Sequence, residues 1–130
     1  DKFDLITRFA ARTCKLADIP GEAVFIEELL NRERQLSTGI GLGIAIPHAR
    51  IDGIDDFILS IARVKEGIPF ESIDNKPVKA LFLIAAPRSR QGDYIKLLAQ
   101  IIFFAKDKNN FKRLVNAEAG DLERYIKEEK

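Results

Sequence analysis

A single histidine, His48, follows a run of closely spaced glycines, Gly39-Ile40-Gly41-Leu42-Gly43, and a proline, Pro47. Imidazole ordinarily has a pKa near 6.5, so at neutral pH much of it is uncharged and offers a nitrogen lone pair. Such a nitrogen can attack phosphorus, and the phosphoramidate that forms is reactive enough to give the group away again. Phosphoryl transfer asks a protein mainly for positioning and charge stabilisation. Pro47 serves the first need, because it fixes its own φ and biases Ile46 towards extended geometry. Arg32 and Arg50 serve the second, since a guanidinium matches phosphoryl oxygens with paired N–H bonds. Glycine leaves backbone N–H groups unshielded, and turn-like arrays of them bind phosphate oxygens, which makes Gly41 and Gly43 candidate phosphate-binding positions. Each residue also has a plainer reading. A histidine beside proline is often an ordinary loop residue, and an arginine on a helix is often simply solvated.

Other chemistries fail on residue type or spacing. A structural zinc site needs about four Cys or His ligands, and Cys14 and His48 are the whole supply, so no metal and no cofactor is expected. The glycine run matches neither G-x-x-x-x-G-K-[ST] nor G-x-G-x-x-G, and a strand-like stretch rather than a helix follows it. The nucleophile elbow G-x-S-x-G is absent. Asp52, Asp55 and Asp56 around Gly53 read as turn chemistry rather than as an acid–base pair.

The elements that must position His48 follow from periodicity. Phe3, Ile6, Ala10 and Cys14 recur at helical spacing over residues 2–17, and Pro20-Gly21 punctuates the end. A second helix over 22–35 carries Phe25/Ile26 and Leu29/Leu30 on one face. Residues 37–43 read as a glycine-punctuated loop and Ile44-Ala45-Ile46 as a strand, with further strands at 57–64 and 78–86. From Gly92 the helical period returns through Tyr94, Leu97/Leu98, Ile101/Ile102 and Ala105. Asp107–Asn110 can cap a short helix with Phe111, Leu114 and Val115, and Gly120-Asp121 opens a last helix. The order is helix-helix-strand-strand-strand-helix-helix-helix. Strands without a polar face imply a sheet covered on both sides, hence an α/β protein of three layers in one domain over 1–130.

Composition sets the surroundings. The 21 Lys and Arg nearly cancel the 20 Asp and Glu, so no strong field draws the chain to nucleic acid or an anionic membrane. Arg88-Ser89-Arg90 is a short basic loop without a reader motif. No apolar run approaches the ~20 residues of a membrane span, and one cysteine without a disulfide partner fits a reducing, cytoplasmic compartment.

The stretch Arg32-Glu33-x-x-x-Ser37-Thr38-Gly39-Ile40-Gly41-x-Gly43-Ile44-Ala45-Ile46-Pro47-His48 resembles the signature of the fructose/mannitol/nitrogen-type enzyme IIA of the phosphotransferase system. The likeness continues through Ile68-Pro69-Phe70-x-x-Ile73-Asp74-Asn75-x-Pro77-Val78 and into the helix around 95–98. The connection from Ile73 to Val78 is similar to the nitrogen-regulatory branch. The resemblance implies a three-layer α/β/α fold with a mixed sheet. It implies that His48 takes phosphate from a histidine phosphocarrier protein of the HPr type and passes it to a IIB domain or a regulatory target. Arg32 falls at the family's active-site arginine, and Thr38 in the loop beneath the phosphohistidine, where it can offer a hydroxyl or backbone donor.

Three departures accompany the likeness. The family begins with a strand ahead of the first helix, whereas this chain opens near that helix without a methionine, so an N-terminal strand is expected to be missing. Where many members carry a second histidine, this chain has Tyr94, which can donate one hydrogen bond to the site but cannot become cationic, or can simply pack its ring. Position 42, often polar, is Leu. The alternative to a transfer component is a IIA-like regulatory or sensory domain with little or no transfer. An enzyme acting on a small metabolite is the third choice, since no second catalytic group stands beside His48 in the sequence.

Overall fold

Ile6, Ala10 and Cys14, four residues apart, all lie buried on one face of the first helix, α1 (Lys2–Ala17). The computed structural model describes residues 1–72, 74–110 and 112. The Asp1 carboxylate caps α1 by accepting from the Asp4 N–H, and Asp18 ends it in the left-handed conformation. Helix α2 (Glu22–Gln35) buries Phe25, Leu29 and Glu33, again at four-residue spacing. Strands β1 (Gly39–Gly41), β2 (Ile44–Ala45), β3 (His48–Ile51), β4 (Ile58–Ile68) and β5 (Val78–Pro87) follow, and then helix α3 (Gln91–Lys106). Residues 108–110 are helical, with the Asp107 carboxylate accepting from the Asn109 N–H. Residue 112 is helical too; residue 111, the rest of that short helix and the expected last helix lie outside the described residues.

Strand β5 is the centre of one mixed sheet. It runs antiparallel to β4 and parallel to β2 and β3. Its alternate residues enter two cores. Leu81, Leu83 and Ala85 join Ile6, Ala10, Phe25 and Leu29 on the α1/α2 side. Ala80, Phe82, Ile84 and Ala86 join Ile101, Phe104 and Ala105 of α3 on the other. A strand buried on both faces has no polar alternation, which is why it reads as an unbroken apolar run. The three-layer α/β/α arrangement with a mixed sheet follows directly.

The sheet holds more strands than the sequence suggests, and the difference lies around His48. Ile44 pairs with Ala80 and His48 with Ile84, so the register against β5 is the same before and after Pro47. Residues 44–51 are therefore one extended run, interrupted where proline has no N–H to give the ladder. His48 is not in a loop; it opens the strand beyond the interruption. The glycine run is likewise paired: β1 lies antiparallel to β2 with Gly41 opposite Ile44. Leu42 and Gly43 form the two-residue turn, with φ of 61° and 77°. Positive φ at both central residues is the type I′ form of so short a hairpin turn, which Asn-Gly ordinarily supplies.

The Asp74 carboxylate steadies this turn by accepting from the Leu42 N–H at 3.0 Å and the Lys76 N–H at 3.1 Å. Those bonds hold its pKa below the usual 3.8, so the latch is in place above that pH and is lost as pH falls below it. Leucine pays a steric cost of ~1–2 kcal/mol in left-handed backbone, whereas asparagine visits it readily. Leu42→Asn is therefore expected to stabilise the fold by about 1 kcal/mol, read as a rise in the urea midpoint at unchanged slope.

Candidate functional site

Along the extended run, Ile44 and Ile46 enter the core beneath α3, whereas Ala45 and Ala49 enter the opposite one. The two-residue period of a strand therefore sends His48 to the α3 side. There its ring meets the ring of Tyr94, with centroids 5.4 Å apart and planes tilted by 45°. Arg90 fixes the start of α3, and so Tyr94, by bonding the Asp93 and Asp56 carboxylates at 3.1 and 2.9 Å and lying over the Phe57 ring.

His48 Nδ1 lies 2.7 Å from the carbonyl oxygen of Ile46. A carbonyl only accepts, so Nδ1 carries the proton and Nε2 keeps the lone pair. Burial pushes the imidazole pKa below its usual 6.5. The bond to Ile46 opposes that shift, Arg32 adds to it, and Glu33 opposes it. The ring is thus neutral at pH 7, with a fixed tautomer and a nucleophilic Nε2.

Beside it lies a hollow of about 370 Å³, lined by Arg32, Thr38, Ile40, Ile46, His48 and Leu98 among others. Arg32, in the last turn of α2, brings its guanidinium to this hollow, and its Nε is buried without a hydrogen-bond partner among the described residues. The Tyr94 hydroxyl is buried and has no partner among those residues either. Its pKa is pushed up to about 12 by burial, against the pull of Arg32 and Arg50.

Of the positions singled out in the sequence, the structure thus brings His48, Arg32 and Thr38 to one hollow, with Tyr94 against the His48 ring. Arg50, two residues along β3, shares the face of His48 and bonds the Gln91 side chain at 3.2 Å. Gly41 and Gly43 do not join them. They turn the hairpin beside Ala80, four residues along β5 from the partner of His48 and about 13 Å away at roughly 3.3 Å per residue. Gly41 instead faces the Asp74 carboxylate, and the Gly43 carbonyl accepts the N–H groups of Lys79 and Ala80. Their flexibility serves the turn.

Thr38 is held by a residue given no role in the sequence reading. Glu33 is 3% exposed, and its carboxylate accepts the Thr38 N–H at 2.8 Å and the Thr38 hydroxyl at 2.6 Å. Lys2 supplies the countercharge at 3.4 Å. The signal was there: Glu33 continues the buried stripe Phe25–Leu29, and a charge on such a stripe calls for a partner.

The family model described as phosphoenolpyruvate-dependent sugar phosphotransferase system, EIIA 2, matches residues 1–129. The chain belongs to this EIIA family. A nitrogen regulatory protein of Bradyrhizobium diazoefficiens is 35% identical over 113 residues, covering 87% of this EIIA chain and 73% of that protein. The fructose-specific EIIABC component of Bacillus subtilis is 31% identical over 121 residues, covering 93% of the chain but only 19% of the component. Among solved structures, the nitrogen regulatory protein IIA-Ntr of Neisseria meningitidis superposes with a TM-score of 0.85 at 26% identity, covering 97% of this chain and 86% of that one. The IIA mannitol structure from Escherichia coli, at 20% identity and TM-score 0.77 over 96% of this chain and 87% of its own, shares the fold. Among the described residues, no helix is long and apolar enough to cross a membrane.

Because the folded EIIA domain disfavours the charged imidazole, the unfolded chain takes up the proton first as pH falls. Stability is therefore expected to be whole above about pH 6.5 and to decline below it. His48→Asn should remove that part of the slope, read as denaturant midpoints between about pH 7.5 and 5.5.

Proposed function

We propose that this domain accepts a phosphoryl group on His48 Nε2 from a histidine phosphocarrier and passes it to a IIB domain or a regulatory target. The observation that carries this reading is the bond from Nδ1 to the Ile46 carbonyl, which leaves Nε2 as the nucleophile beside the Arg32 hollow. The lone pair on Nε2 attacks phosphorus as the phosphorus–nitrogen bond of the donor phosphohistidine breaks. That bonding pair returns to the donor imidazole. The Nδ1 proton stays on the His48 ring, and the Ile46 carbonyl stabilises the positive charge the ring gains. Arg32 meets the charge on the phosphoryl oxygens with N–H donors. Onward transfer is the same step in reverse with a second acceptor.

The partners follow from that chemistry and from the relatives. One solved structure, at TM-score 0.74 and 18% identity, is a complex of the mannitol IIA enzyme with phosphorylated IIB. The likeness to nitrogen regulatory proteins supports a regulatory destination for the phosphate as much as a transporter. The exposed Leu36, 78% accessible, lines the same hollow and offers a transient partner an apolar contact beside His48. A cytoplasmic location goes with such partners. A purely sensory domain without transfer is not favoured: the Nδ1 bond to Ile46 and the buried Arg32 nitrogen beside His48 support transfer.

Incubation with enzyme I, a phosphocarrier and phosphoenolpyruvate should give one acid-labile phosphate, mapped by mass spectrometry to His48. Arg32→Ala should lower the transfer rate by about a hundredfold. Transfer should hold level from pH 8 to 7 and fall only below the usual histidine range, in line with the lowered pKa. A label on any other residue, or none with any phosphocarrier tried, would falsify the assignment.

A further inference from the structure

A phosphoryl group on Nε2 brings a dianion with three acceptor oxygens, and the donors able to meet it can be counted. Thr38 sits close by, yet both its donors, N–H and hydroxyl, are given to the buried Glu33 carboxylate. Arg50 gives one N–H to Gln91 in an exposed bond and keeps its other donors, so it can add to the cradle from the solvent side. Gly41 and Gly43 stand at the far end of the hairpin. Two donors stand out because they are buried next to His48 and bond to nothing among the described residues: Arg32 Nε and the Tyr94 hydroxyl. Buried polar groups are nearly always hydrogen-bonded, so two orphans flanking one nucleophile call for an explanation. Packing accounts for the Tyr94 ring, which lies against the core beneath α3. It does not account for the hydroxyl, since a phenyl ring would fill the same space without burying an unsatisfied group.

We infer that Tyr94 is a phosphoryl-binding residue, its hydroxyl donating together with Arg32 Nε to the oxygens of the group carried on His48 Nε2. This rests on the phosphoryl-acceptor reading of His48. It also reassigns the cradle: Thr38 shapes the hollow through Glu33 rather than donating to the phosphate. The hydroxyl stays protonated throughout the physiological range, because burial keeps the phenol from ionising. Tyr94 thus offers a neutral donor at every working pH, leaving Arg32 Nε as the charged member of the pair.

The test is Tyr94→Phe, which removes one oxygen and keeps the ring. Wild type and variant are equilibrated with phosphorylated phosphocarrier, and phosphohistidine is quantified by phosphorus NMR. A hydrogen bond to a charged group corresponds to roughly ten- to a hundredfold in an equilibrium constant, and that is the expected fall for the variant. Its thermal midpoint should hold or rise, because an orphaned polar group has gone, and its KM for the phosphocarrier should not change. A transfer equilibrium equal to wild type overturns the inference while leaving His48 as acceptor. Wild-type protein that takes no label on His48 overturns the acceptor reading itself.

Discussion

The hydrogen bond from His48 Nδ1 to the carbonyl of Ile46 is the constraint from which the site takes its chemistry. A free imidazole exchanges its proton between two nitrogens; this bond ends the exchange and leaves one nucleophile. It spans only the Ile46-Pro47-His48 tripeptide, so its geometry is written into the local chain. Proline breaks the ladder along β5, and the strand resumes in register at His48. The imidazole thereby sits on a backbone that β5 fixes on either side of the break, while the Ile46 carbonyl turns to the ring. Burial then keeps the ring neutral, which a nucleophile requires.

Around this centre the polar groups divide into those already satisfied and those that are not. Glu33 spends its carboxylate on Thr38 and Lys2, and so joins the end of α2 to the loop that enters β1. That closed set is structural: breaking a buried pair costs about 3–5 kcal/mol, because a charge is left uncompensated. Arg32, the preceding residue on α2, has the opposite character, with a buried nitrogen that has no hydrogen-bond partner among the described residues. Neighbours on one helix thus do different things: Glu33 holds the loop, and Arg32 faces the hollow beside His48.

Much of this was legible in the sequence. The helices were visible because burial at Ile6, Ala10 and Cys14, and at Phe25 and Leu29, repeats every fourth residue. Strands β4 and β5 were visible as apolar runs, and the family motif carried Arg32 and His48. Strand β2 was visible as Ile44-Ala45-Ile46, but the short strands β1 and β3 were not, because three or four residues are too few to display a period and glycine reads as a break wherever it stands. The glycines were linked to phosphate by sequence proximity to His48, but the hairpin carries them to the other end of β2. Glu33 was overlooked although its place on the buried face was readable. That its carboxylate takes both Thr38 donors depends on how α2 meets the loop, which no local pattern encodes.

Since His48 is the sole histidine, one spectrum reports its ring without ambiguity. Nitrogen-15 NMR of the unphosphorylated protein, labelled at histidine and recorded at pH 7, reads protonation at each ring nitrogen. The predicted result is a neutral ring with the proton on Nδ1 and a bare Nε2. A proton on Nε2, or a doubly protonated ring at that pH, would contradict the account at its root.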